Sequence, residues 1–236
     1  MQSYTRHQLK EDKFQEVTRG AIAQAQAHRQ QLTLLGVLVL ILVLAGGAYG
    51  YWRTYQDEQA SAELGKAMTT YATPIRAQGA LADPNFPSFG STAERDTEAA
   101  KQFRSVADKF PRTNSGKNAL YMAGAAALDG GQYAEAESRF KKVIDIGDKD
   151  LASLARLGLA SVYEATNRDQ DAINIYNELI KKPTLSVSAQ RAQFALADLY
   201  EHKDPAQAKK IYDQLALDKS PAVAQLAKQR QSAVKQ

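Results

Sequence analysis

Two hydrophobic patterns divide the chain. Between Arg29 and Arg53 lie 23 residues without a charge, eleven of them Leu, Ile or Val, densest from Leu32 to Leu44. Apolar positions there fall on every side of a helix. Such a run is about 35 Å long as a helix, enough for a hydrocarbon core of ~30 Å. Its eleven aliphatic side chains favour insertion by about 3–7 kcal/mol. Tyr49, Tyr51 and Trp52 stand at its C-terminal edge, where amphipathic rings prefer the membrane interface. A buried soluble helix would be shorter and one-sided. A cleaved secretory signal could use Ala45-Gly46-Gly47-Ala48, but its apolar run and polar lead would both be shorter. The pattern predicts a transmembrane helix over 30–53. Lys10, Lys13, Arg19 and Arg29 precede it, and only Arg53 and Lys66 follow closely. That bias predicts a cytoplasmic tail over 1–29 and a C-terminal domain outside, in the periplasm if the membrane is a bacterial inner membrane.

Beyond the span the period changes. Leu64, Met68 and Tyr71 fall at helical spacing and predict a membrane-proximal helix within 54–80. Pro74, Gly79, Pro84, Pro87 and Gly90 then break regular structure, and 81–92 reads as a loop in which Phe86 and Phe89 cover apolar surface. From Ala93 a long period appears. Ala136, Ala172 and Ala208 are 36 residues apart, and each is followed four residues later by an aromatic: Phe140, Tyr176, Tyr212. Upstream of each stand small or aromatic pairs: Gly124 and Ala127, Ala160 and Tyr163, Ala197 and Tyr200. Ala99, Phe103 and Pro111 supply an earlier half-match, whose helical partner is expected in the helix at 54–73. Gly130-Gly131, Thr166–Asp169 and His202–Asp204 split each unit into two helices, with Asp204 expected to cap a helix that has Pro205 at its first position. The physical sense is that small residues let paired helices approach, while the aromatic fills the gap to the next pair. One pair cannot bury its apolar face alone, so the units stack into a solenoid. The repeats are expected over 93–219, with a capping helix at 220–236 that runs from Ser220-Pro221 to about Val234.

Composition narrows the chemistry. Forty alanines suit close helix packing, and the absence of cysteine removes disulfides, thiolate metal sites, Cys nucleophiles and lipidated-Cys anchors. The net charge is +4, with five Lys/Arg against three Asp/Glu before the span and 25 against 23 after it. Neither part is the dense basic patch of a nucleic-acid binder. There is no P-loop, no GxGxxG, no HExxH and no GxSxG, so no enzyme activity, small-molecule substrate or cofactor is expected. His7, His28 and His202 are far apart, and Asp145, Asp148 and Asp150 lack the glycine and terminal Glu of a calcium loop; no metal site is expected. His202 reads as a cation complementing a helix end. In the tail, Leu9, Phe14, Val17 and Ile22 among charges allow an amphipathic helix on the inner leaflet or a solvated segment.

The repeat residues resemble the tetratricopeptide repeat. Gly124, Tyr133, Ala136 and Phe140 carry the best match, followed by Tyr163, Ala172 and Tyr176, and by Tyr200, Ala208 and Tyr212. The resemblance implies an all-α fold: one N-terminal transmembrane helix, then a helical-hairpin solenoid. The order of tail, span and Ala-rich repeats resembles the family of the ancillary subunit of the SecYEG translocon. That likeness implies a scaffold at the Sec channel whose protein partners are translocon subunits, exported chains or periplasmic chaperones. In tetratricopeptide solenoids the first helix of each pair lines a concave groove. By position, the residues facing it here are Asn118, Tyr121, Ala125, Leu157, Ser161, Arg191, Phe194 and Asp198, a mixed set suited to an extended peptide. It lacks the Lys/Asn cluster that clamps a C-terminal carboxylate. Leu157 and Tyr121 read equally well as finishing the inter-repeat core. Other readings are a tetratricopeptide factor of envelope assembly or cell division, or a regulatory subunit of a membrane complex. The missing Cys speaks against a lipoprotein, and the anchor against a soluble periplasmic protein.

Overall fold

The structure, a computed structural model, describes residues 28–77 and 88–234, with the side chains of the last two left aside. The expectations for the N-terminal tail, and for Phe86, fall outside these residues. The described residues form nine helices and no strand beyond one isolated bridge between Ile75 and Phe89. In chain order they are α1 (Arg29–Ala72), α2 (Thr92–Lys109), α3 (Asn114–Asp129), α4 (Tyr133–Asp145), α5 (Lys149–Ala165), α6 (Asp169–Lys181), α7 (Ala189–Lys203), α8 (Pro205–Leu215) and α9 (Pro221–Val234). The chain divides into two units, Met1–Tyr55 and Gln56–Gln236, and α1 contributes to both.

In the first unit no described side chain is buried. Leu32, Leu34, Leu35 and the run from Val37 to Leu44 all stand open. Helix α1 is long and apolar enough to cross a membrane.

The second unit is a stack of hairpins: α3 with α4, α5 with α6, α7 with α8, and α9 at the end. The sequence dictates the turns. Gly131 and Asn167, 36 residues apart, both take positive φ (74° and 58°), the left-handed conformation that Gly and Asn adopt at least cost. Helix starts are capped by Ser91, Thr113, Asp148, Ser188 and Asp204, whose side chains accept from backbone N–H groups of the first turn. Pro205 follows Asp204 at the first helical position, where its missing N–H has no cost.

The core follows the period. Ala136, Ala172 and Ala208 have no exposed surface, and Phe140, Tyr176 and Tyr212 are buried beside them. Each such aromatic contributes about 1.5–3 kcal/mol through burial. Phe140 lies between two glycines: a Cβ on Gly124 would meet its ring at 2.9 Å and one on Gly158 at 2.5 Å. Arg168, in the α5–α6 turn, stacks over Tyr163 at 3.9 Å and pairs with Glu137 of the previous hairpin at 3.0 Å, so the turn of one repeat is tied to its neighbour.

At the start of this unit, α1 supplies Ala60, Leu64, Ala67 and Tyr71 to clusters with Phe103, Val106 and Ala107 of α2. The packed face differs here from the spacing of Leu64, Met68 and Tyr71. Met68 is 42% exposed, and Ala67 takes the inward place. An alanine lets α2 approach, and the Tyr71 and Phe103 rings then meet edge-on at 5.9 Å.

Candidate functional site

Helices α3, α5 and α7 carry the residues expected to face a groove. On α3, Asn118 is exposed, while Tyr121 and Ala125 are half-buried. On α5, Leu157 and Ser161 are half-buried one turn apart, and the Ser161 hydroxyl donates to the Leu157 carbonyl at 3.4 Å. On α7, Arg191 is exposed and Phe194 and Asp198 are half-buried.

Their surroundings sort them. Leu157 packs on a cluster of Leu179, Val187 and Ala192, and so helps close the seam between repeats. The Tyr121 ring lies 5.9 Å from that of Phe140. Burial raises the Tyr121 phenol, the Arg191 guanidinium pulls it back, and Asp129 adds a smaller upward push. Arg191, 70 positions further along the chain, therefore acts from α7 on a phenol of α3. Arg191 also donates to the Ser186 carbonyl at 3.3 Å, which fixes its approach. Phe194 and Asp198 both turn to Tyr212: the rings are 6.2 Å apart, and Asp198 lies 2.7 Å from the hydroxyl. These two serve the core as well as the surface.

A second pattern was not among the expected residues. The second helices α6 and α8, and α1 before α3, each present a tyrosine hydroxyl to carboxylates of a first helix. Tyr176 donates to Glu164, Tyr71 of α1 donates to Asp129, and the Tyr212 hydroxyl shares its one proton between Asp198 and Glu201 at 2.7 and 2.6 Å. Burial first, and these acceptors second, push the phenols of Tyr71, Tyr176 and Tyr212 far above their usual range. Glu164 rises too: burial dominates, the Tyr176 hydroxyl opposes it, and Asp169 and Asp198 add to it. The signal was present in the repeats. Glu164 stands twelve residues before Tyr176, whereas Leu128 stands twelve before Phe140, which has no hydroxyl to satisfy.

Other candidates have structural partners. Asp148 caps α5 through the N–H groups of Asp150 and Leu151, and Asp150 accepts from the Ser186 N–H at 3.2 Å. His202 lies in the last turn of α7, where a cation complements the dipole. Among the described residues, no group of three or more His, Asp or Glu is placed to hold a metal ion. The arrangement offers apolar and hydrogen-bonding surface along stacked first helices, the chemistry of protein binding.

Residues 25–176 match the tetratricopeptide repeat-like domain and residues 191–218 match the tetratricopeptide repeat. No curated protein and no solved structure matches the chain. The first match spans well over half of the sequence and runs from α1 through the α3–α4 hairpin into α6, where the alanines and aromatics sit where the period requires; the chain belongs to the tetratricopeptide repeat-like domain family.

Proposed function

We propose that the chain is a non-enzymatic protein-interaction scaffold. In this reading residues 30–53 hold it in a bacterial inner membrane, and its repeats stand in the periplasm beside the Sec translocon. There they contact translocon subunits, exported chains or periplasmic chaperones. One observation carries the reading: an uncharged helical run with all its Leu and Val side chains exposed occurs in one chain with a repeat array whose first helices combine half-buried Tyr121, Leu157 and Phe194 with exposed Asn118 and Arg191. An extended peptide suits such a surface, because its backbone meets polar side chains and its alternate residues meet apolar ones.

The test is capture by the full chain in mild detergent. Translocon subunits and an unfolded periplasmic client should be retained by wild type and by a form lacking residues 1–29. Tyr121→Ala/Arg191→Ala/Phe194→Ala should weaken retention by about 1–3 kcal/mol per anchor lost. Phe194 also packs on Tyr212, so Asn118→Ala/Arg191→Ala, at two exposed positions, is the companion that keeps the core intact. Equal capture by folded variants of both kinds would remove the groove from the reading. Loss of capture on deleting residues 1–29 would move recognition to the tail or the span.

A further inference from the structure

A trough runs along α5 and α6, on a different face of α5 from Leu157 and Ser161. Its first part is a cleft of about 380 Å³ lined by Lys149, buried Ser153 and Arg156 of α5 and by Leu179, Lys182 and Pro183. Its second part, about 570 Å³, continues past Lys181 to Asn177 and Asn174, and the two share Glu178 and Lys182. The first part alone falls within the ~300–1,000 Å³ of ordinary ligand sites.

Its charge is unbalanced. Lys149, Arg156, Lys181 and Lys182 line it with Glu178 as the one lining carboxylate, Asp150 lies beside it at the Ser186 loop, and Arg156 approaches Glu178 only to 3.9 Å. No described residue forms an ion pair with the ammonium groups of Lys149, Lys181 or Lys182. The last two stand at the end of α6, where the dipole welcomes a cation. Lys149 is the first residue of α5, the end that disfavours one. Neither the dipole nor an ion pair with a described residue accounts for it, whereas an anion in the cleft would.

The shape points to an extended ligand. Lys149, Arg156 and Lys182 line the first part, and Lys181 and Lys182 carry positive charge on into the second, so a ligand that meets all four spans both parts. Asn177 and Asn174 at the far end match a peptide backbone, because an amide both donates and accepts. Beside the trough, the loop from Pro183 to Ser188 is pinned by Thr184 N–H to Val187 O at 2.9 Å, by Ser186 N–H to Asp150, and by fully buried Val187. That ordered loop holds Leu185 98% exposed, an apolar contact offered outward.

We propose that this trough is a second docking site, separate from the groove of the first helices, and that it takes an extended acidic segment of a partner protein bearing an apolar residue. The carboxylates lie along Lys149, Arg156 and Lys182, the backbone runs toward Asn177 and Asn174, and the apolar side chain meets Leu185.

The probe is a fluorescent peptide of three Glu-Pro-Glu-Leu repeats, with its Gln-Pro-Gln-Leu counterpart as control, titrated against the full chain in a neutral detergent at low salt. The Glu peptide should bind at least about tenfold tighter than the Gln peptide, and the difference should shrink as salt screens the charges. Lys149→Gln/Arg156→Gln/Lys182→Gln should abolish the difference. Lys149→Glu/Lys182→Glu, at two exposed positions, should do the same if the triple variant fails to fold. Lys66→Gln/Lys210→Gln/Lys228→Gln, which removes equal charge elsewhere, should keep it, and so should Tyr121→Ala in the groove. Equal binding of both peptides, or equal loss in the remote variant, overturns the proposal. Displacement of the peptide by soluble short-chain phosphatidylglycerol, where the phosphatidylcholine analogue does nothing, also overturns it and assigns the cations to lipid headgroups.

Discussion

Phe140 shows how much of the fold hangs on single atoms. The ring is buried, so it cannot swing aside when a neighbour grows, and Gly124 and Gly158 leave it room from two helices. Gly158→Ala should therefore cost more than the helix-propensity gain of roughly 1 kcal/mol it would bring in an open helix, with a net loss of about 1–3 kcal/mol. Phe140→Leu on that background should recover part of the loss, although the same change costs stability alone; thermal melts of the four forms give the coupling. Sequence reasoning places Phe140 readily, because an aromatic four residues after a periodic Ala has one role. It misses Gly158, since a glycine inside a helix reads only as a weak helix former until its neighbour across the seam is known. Glu164 makes a second test at this scale. Its folded-state pKa is raised above the ordinary 4.5, so the folded chain binds that proton more tightly than the unfolded chain does. The resulting penalty is present above the raised value and disappears as pH falls through it. Glu164→Gln keeps an acceptor for Tyr176 and removes the charge. The variant should melt at or above wild type at about pH 7.5, and the advantage should vanish by about pH 4.5. A variant less stable than wild type at neutral pH would show that the hydrogen bond from Tyr176 to the ionised Glu164 outweighs the burial.

At the level of helices, the period carried the hairpins and their caps because each repeat solves one problem in the same way. A small residue sets the helix spacing, an aromatic fills the seam, and a polar residue closes the turn. Ala172→Leu should overpack the α5–α6 crossing and cost about 1–3 kcal/mol, while Gln170→Leu, two residues away and exposed, should stay within about 0.5 kcal/mol of wild type. Equal melting temperatures for the two would refute the register. The period is weaker where the chain departs from it. In α1 the packed face passes through Ala60, Leu64, Ala67 and Tyr71 rather than through Met68, because α2 comes close enough to prefer a methyl group to a long thioether. The hydroxyl–carboxylate pairs were legible in principle, as the contrast of Glu164 with Leu128 shows, but only once the repeats are aligned on their aromatics. The trough was not legible at all. Lys149 and Arg156 lie on α5 and Lys182 just past the end of α6, and only the α5–α6 hairpin brings them to one face.

For the whole molecule, the proposed membrane anchor raises the question of which side of a membrane the repeats would occupy. Hydropathy establishes a run able to span, since eleven aliphatic residues repay the loss of water whichever way the helix points. Direction rests on something weaker, the four Lys/Arg before the run against two close behind it. The partner was less legible still: the groove types Tyr, Arg and Phe are general hot-spot residues and name a kind of surface, not an occupant. Direction is open to a clean test. Protease added to spheroplasts should digest the chain beyond Arg53 and spare a membrane-bound N-terminal fragment. Complete protection of the repeats would place them in the cytoplasm. The cause can be tested separately from the outcome. If the positive residues before the span set the orientation, Lys10→Gln/Lys13→Gln/Arg19→Gln should leave only Arg29 within about 20 residues of the run, with the distant Arg6, against Arg53 and Lys66, and a fraction of the repeats should become protease-resistant. Should the variant stay fully digestible, translocation of the repeats is driven by their own export and not by the flanking charge. The capture experiment should then be run on both orientations, because a scaffold that reads partners through its repeats can bind only those sharing their compartment.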